Sequence, residues 1–515
     1  MSPPPPHSLP AGSYMLAASS PHKGWNKGDL LMRRITALVS SIALLVGLFV
    51  YAPQSVRAVD PVYIGPGGGS GACAAPLYET DGSADQIEFQ AAVDFQDGDI
   101  DNVLYVCPGT YDMDAEVTLA GALTIAGVSG AASTILDASE STDRILYTGS
   151  TLIITRLTFQ NAETLERGAA IYASDDLIVQ NSIFLNNHSF RRGGAIYAED
   201  VSAITGSTFT ANGSVKDGGA VYSDDDLDLI ADSTFSDNTS GINGGAVYVY
   251  NDILDLDIDG QSGIIDSTFS DNEAERHGGA VMIDDDILNS SVVTGNEFSD
   301  NVADADANTD GDGGAVYVDD DVPGSVSSNS FTGNSAYDGG AFMINGDLNG
   351  QLSRNRFVLN VATRDGGAIN LDNLDVLSVV TRNQFRDNTA GRDGGGARLD
   401  DDGNDETAAA IVSANTFSGN RAVGNGGGMY VYWTDTLDAP ENMTGNTYRR
   451  NRAGGIGGGI AIMGINQNEG PACNPELTTR EAARVFRMNR FAANRAAGSR
   501  QTANVGAVPC VNFGP

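Results

Sequence analysis

The sequence predicts an all-β protein, a parallel β-helix solenoid of roughly twelve rungs with three short strands per rung and a helical cap at its N-terminal end. Three observations predict it. First, a Phe-x-x-Asn element recurs along the chain. Second, a Gly-Gly-Ala-Val/Ile element follows each copy after a short loop. Third, aspartates cluster at a fixed distance beyond the glycines, as in "KDGGAVYSDDDLDL" at 216–229.

The Phe element begins at Phe184, Phe209, Phe235, Phe269, Phe298, Phe331, Phe357, Phe385, Phe417 and Phe491, with Tyr448 in one copy. Two residues before the ring stands Ser182, Ser207, Ser233 or Ser267, and later Asn296, Asn329, Asn355, Asn383, Asn415, Asn446 or Asn489. The glycine element starts at 193, 218, 244, 278, 313, 339 and 366, with degraded copies at 168, 395, 426 and 457. A period of about 25–35 residues marks a solenoid. "GGAVYV", "LDLI" and "STFSDN" read as its strands, and the Gly, Asp and Asn between them as turns. Stacking then places Phe over Phe in a continuous core. Asn stacks over Asn in an amide ladder. The expected ladder comprises Phe184 and Asn187, Phe209 and Asn212, Phe235 and Asn238, Phe269 and Asn272, and Phe331 and Asn334.

The ends read differently. Residues 1–58 form an upstream extension and a secretory signal peptide, with Met32 the expected start. Arg33 and Arg34 precede an apolar run from Ile35 to Ala52, and Val56-Arg57-Ala58 fits a cleavage site. An uncleaved membrane anchor is the alternative. Residues 59–145 read as an N-terminal cap and the first coils. Within them "SADQIEFQAAVDF" predicts a helix with Ser83 and Gln86 as a capping box and with Ile87, Ala91 and Phe95 on one face. Residues 146–465 carry the repeat, and 466–515 a last rung and C-terminal cap.

Charge and cysteines bound the partners. The 515 residues hold 67 acidic and 29 basic side chains, a net charge of -38. That balance argues against nucleic acid as a partner, because phosphate binding needs clustered Lys and Arg. It suits divalent cations, salt or simple solubility. Export permits disulfides, and Cys73–Cys107 and Cys473–Cys510 are the expected pairs.

The paired Phe-x-x-Asn and Gly-Gly-Ala-Ile/Val motifs resemble the polymorphic outer membrane protein repeat known from chlamydial surface proteins. "CPGTYD" and "LTIAGVSGAASTILDAS" resemble the first coils of right-handed, pectin-lyase-like β-helix proteins. Together the resemblance spans residues 60–515. It implies a right-handed β-helix, secreted or displayed on a cell surface, often adhesive, whose partner is a host or cell-surface glycan or protein. The chain departs from the chlamydial pattern in leaving no room for a translocating β-barrel after its last rung. The membrane would be met only through the signal peptide or an unknown anchor, and the protein is expected as a monomer.

Candidate chemistry centres on the aspartates. Asp224, Asp225 and Asp226, Asp284, Asp285 and Asp286, and Asp319, Asp320 and Asp321 would stack into a carboxylate stripe. Such a stripe fits Ca²⁺, bound by oxygen ligands in flexible geometry. It also fits solvated turns that deter edge pairing. Pectin-lyase-like folds include polysaccharide lyases and hydrolases, so a carbohydrate-active enzyme is the alternative function, and a purely structural extracellular spacer is a third. His188, His277, Lys216, Arg191 and Arg192 are the basic candidates, and none recurs in a constellation. No catalytic residue is assigned. Tyr172, Tyr197, Tyr222, Tyr248 and Tyr317 share one register, facing either outward as a binding ladder or inward as core.

Overall fold

The computed structural model describes residues 61–66, 71–80, 85–96, 102–254, 262–288, 291–303, 311–374, 377–401, 410–433, 442–464, 486–497 and 505–507. The signal-peptide region, Ser83, Cys473 and Cys510 lie outside them. The described residues form a parallel β-solenoid with three sheets of 27, 14 and 12 strands. The smallest sheet holds one strand per rung over the repeat, which agrees with the expected rung number.

The sheets divide the rung differently from the sequence reading. "GGAVYV" and "LDLI" belong to one sheet, because Ile171–Gln180 and Ile196–Thr205 run through both columns without a break. The Phe strands, such as Thr234–Ser236, form the second sheet. The third consists of two-residue strands, such as Thr239–Ser240, that read in the sequence as turn. Two residues offer no alternation to detect, so that face was invisible before stacking.

The Phe column is the spine of the core. Phe184, Phe209, Phe235 and Phe269 are fully buried and stack face to face at 4.7–4.8 Å between centroids. That spacing equals the strand separation, so a flat ring in each rung meets its copy at contact distance. Val221, Val247 and Val281 stack likewise on the first sheet.

Polar columns close the turns. Asn272 shows the pattern: its Oδ1 accepts from Asn238 N–H (3.1 Å) and Asn238 Nδ2 (2.9 Å). Its own Nδ2 donates to Phe235 O and to Asn301 Oδ1. The expected Asn ladder is therefore present. A second ladder lies two residues before the ring. Ser182 N–H donates to Ser207 Oγ, and from Ser267 onward the acceptor is an Asn Oδ1. Immediately before each ladder residue stands a residue with positive φ, such as Asn186 (φ 54°), Asp237 (φ 56°) or Asp271 (φ 55°). Short polar side chains tolerate that left-handed conformation best.

The glycine pair has two separate causes. The first glycine turns left-handed, as at Gly218 (φ 67°). The second permits rungs to touch: a Cβ on Gly219 would lie 2.0 Å from Gly245 O. Only glycine satisfies both.

The N-terminal helix is Gln86–Gln96, but its buried face is not the expected one. Phe89, Ala92, Val93 and Gln96 face the coil, with Phe89 edge-on to Tyr111. Ile87 and Phe95 remain 62% and 60% exposed. The helix carries two apolar stripes, and the one containing Phe89 and Val93 fits the open end of the first coils. Cys73 and Cys107 form the expected disulfide, with Cα atoms 5.8 Å apart.

Candidate functional site at the acidic corner and the outer aromatic seam

The three aspartates of each acidic corner point three ways. The third forms a ladder of its own. Asp226 Oδ1 accepts from Asp252 N–H (3.2 Å), Asp252 from Asp286 (3.0 Å), Asp286 from Asp321 (2.8 Å), and Asp321 from Asp347 (2.8 Å). The middle one faces solvent more: Asp225 accepts from Asn251 Nδ2, and Asp320 is exposed. The first leans back over the tyrosines. Tyr317 donates its hydroxyl to Asp319 (2.8 Å), and Tyr197 and Tyr248 hydrogen-bond Asp224 and Asp284. The nine aspartates expected as one stripe thus occupy three rows with different partners.

One group of three carboxylates converges among the described residues. Oxygens of Asp200, Asp225 and Asp226 lie within 4.8 Å of one another, a set that could hold a divalent cation. Two of the nine expected residues take part, with Asp200 from the preceding rung. Farther along, crowding shows as proton affinity. Burial pushes Asp284 and Asp286 up to about 6, with neighbouring aspartates adding to the rise.

The tyrosine register is neither an open ladder nor part of the main core. Tyr197, Tyr222, Tyr248 and Tyr317 project from the outer side of the first sheet, yet all are buried. With Met282 and Met343 they make a second apolar cluster, which Tyr172 flanks. The rings stack in parallel, Tyr222 on Tyr248 at 4.9 Å. Arginines from the glycine-side turn cover them: Arg192 sits 4.8 Å above the Tyr222 ring and Arg167 4.7 Å above Tyr197. Burial raises the phenol pKa of all four.

Beyond Met343 the same column changes character, which the sequence reading missed. Asn370 and Arg398 replace the aromatic residue. Arg398 Nη1 donates to Asp372 Oδ1 (2.6 Å) and Asn370 Oδ1, and its Nη2 donates to Asp400 (2.5 Å). Arg364 and Arg392 pair with Asp338 and Asp365 nearby. The sequence signal was "GGGARLD", where an arginine stands at the aromatic position.

His277, read as a loop residue, belongs to a fourth column just before the glycines. Its Nδ1 accepts from Asp312 N–H (3.2 Å), and its own N–H donates to Asn243 Oδ1. Asp312 serves Asp338 N–H in turn, and Asp338 serves Asp365. His277 also stacks on Tyr317, 4.6 Å between centroids.

The family model of the Chlamydia polymorphic membrane protein (Chlamydia_PMP) repeat matches residues 181–199 and 232–250. Each matched stretch contains a left-handed residue, both turn ladders, the core ring and the glycine pair. Two rungs of this β-solenoid match the polymorphic membrane protein repeat, and the chain is similar to a β-helix repeat protein of that type.

The matched copies lie in rungs that pair directly into the rest of the stack, where the same columns continue through Phe491 and Asn494. No curated protein and no solved structure matches the chain. The Chlamydia_PMP-like repeat and the β-helix fold point to a surface or outer-membrane protein.

Proposed function

We propose that this protein is an extracellular binding protein of the adhesin kind, secreted or held at a cell surface, that presents its long side faces to a glycan or protein ligand. One observation carries the reading. The recurring residues of the repeat are turned into the coil as ring, amide and carboxylate columns. The side chains flanking each ring, Thr208 and Thr210, Thr234 and Ser236, Thr268 and Ser270, are repeated outward instead. A rod with a regular outer array suits many weak contacts to a repetitive surface, where linked contacts raise avidity without any deep pocket.

The test is binding of the labelled full chain to intact cells. Saturable binding that unlabelled protein displaces supports the reading. Failure to bind saturably to bacterial and eukaryotic cells alike would refute it. The same preparation should release no new reducing ends or unsaturated uronides from acidic polysaccharides. Sustained turnover would replace this reading with a carbohydrate-active enzyme.

A further inference from the structure

The outer side of the second sheet changes charge along the rod. In the earlier rungs its corner with the third sheet carries Asp237, Asp271 and Asp300, all exposed. Burial raises the carboxyl pKa of Asp271, and Asp237 and Asp300 on either side add to it. In the later rungs arginines gather around the same corner, mostly at the neighbouring strand positions. Arg356, Arg386, Arg449 and Arg490 flank the stacked rings of the second sheet. Arg450 stands at the corner, and Arg421, Arg452 and Arg495 begin successive strands of the third sheet.

All eight are exposed. Arg421 is the direct neighbour of Arg452, and Arg452 of Arg495. Like charges at that separation, about 4.8 Å, repel and weaken strand pairing. The chain has aspartate in abundance, yet among the described residues Arg386 alone of the eight has an ion pair, an exposed one with Asp387. By contrast Arg364, Arg392 and Arg398 on the first-sheet side all carry carboxylates. An arginine run of five rungs, about 20 Å long, in which only Arg386 meets a carboxylate among the described residues, on a protein of net charge -38, calls for an anion from outside. Arginine holds carboxylate, sulfate and phosphate through two parallel N–H bonds.

We infer that the arginine face of the last rungs is a binding site for an anionic polysaccharide, one bearing carboxylates or sulfates along its chain. The inference rests on the extracellular binding reading and names its ligand class. The acidic rungs of a second copy offer the competing partner. The arginines wrap the corner between two sheets, however, and a rigid rod can lie against only one face. A flexible polyanion can follow both.

The experiment measures binding of the full chain to polygalacturonate, dextran sulfate and neutral dextran, with the mass in solution recorded at each salt concentration. Binding to either polyanion but not to dextran supports the site, and the better of the two identifies the acidic group. Affinity should fall steeply with added salt as counterions are released. The triple variant Arg421→Ser, Arg449→Ser, Arg452→Ser should bind at least about tenfold more weakly with a shallower salt slope. Arg276→Ser, an exposed arginine in the acidic rungs, should bind like the parent, and this comparison stands even if the triple variant melts lower. Equal binding by the triple variant and the parent would overturn the site. So would a doubled mass, lost in salt, with no polyanion bound, because the arginines would then face a second copy. A chain that binds cells but ignores both polyanions would refute this inference alone. A chain that binds neither would refute the binding reading as well.

Discussion

Asp226 accepts a hydrogen bond from the backbone N–H of Asp252, its counterpart one rung on, at 3.2 Å. The third aspartate of each acidic corner therefore does for that turn what Asn272 does for the turn after the ring. Both columns make a polar turn repeatable, since each side chain satisfies a backbone donor that stacking would otherwise bury unpaired.

Replacing Asn272 with Ala should lower stability by about 2–5 kcal/mol. The change strands Asn238 N–H and Phe235 O inside the coil and removes a donor from Asn301. Denaturant titration by circular dichroism measures it. A loss under about 1 kcal/mol would show that water reaches this column.

Tyr448→Phe should be stabilising. Tyr448 occupies the ring column between Phe417 and Phe491, at 5.0 and 4.9 Å, and its buried hydroxyl has no partner among the described residues. Removing an unsatisfied buried hydroxyl is worth about 1–2 kcal/mol. Thermal melts of the two proteins side by side decide it, and a lower midpoint for the variant would contradict the assignment.

Leu359 holds φ at 59° while 55% exposed. Most other rungs place Asn, Asp or Gly at that turn, the exceptions being Ala211, Arg450 and Ala493. Leu359→Asn should raise stability by about 0.5–1 kcal/mol by relieving left-handed strain without touching the core. An unchanged or lowered denaturation midpoint would argue against strain at this position.

Stability should rise as pH falls from 8 to 5. Burial pushes Asp312 up to about 7 and Asp284 and Asp286 up to about 6, against about 4 in the unfolded chain. Between those values the folded protein holds protons that the unfolded chain has released, so stability is gained as pH drops through the folded pKa values. Melting midpoints at constant ionic strength test the sign. A midpoint that falls steadily from pH 8 to 5 would mean these carboxyls are ionised and well compensated.

The fold was legible because its signal recurs. One Phe-x-x-Asn says little, whereas ring, amide and glycine pair in one register leave a stacked coil as the arrangement that buries them all. Face assignment was harder where periodicity is short or doubled. Thr239–Ser240 has too few residues to alternate, and Gln86–Gln96 carries two apolar stripes. The tyrosine column could not be placed because alternation shows only that Tyr222 opposes Val221. Its cover, Arg192, comes from a turn in the preceding rung. The roles of Asp224, Asp225 and Asp226 were hidden for the same reason, since neighbours in sequence part company only when the adjacent rungs supply Tyr197, Asn251 and Asp252. The arginine face was overlooked because a net charge of -38 averages over a chain whose signs are segregated.

If the aspartate columns hold rungs together rather than ions, the coil needs no cation. Melting the full chain in EDTA and in millimolar Ca²⁺, at matched ionic strength, tests this most directly. The hydrogen bonds from Asp252, Asp286, Asp321 and Asp347 predict midpoints within about 2 °C of each other. A saturable rise of more than about 5 °C with Ca²⁺ would contradict them and make Asp200, Asp225 and Asp226 the first ligands of a metal-bound corner.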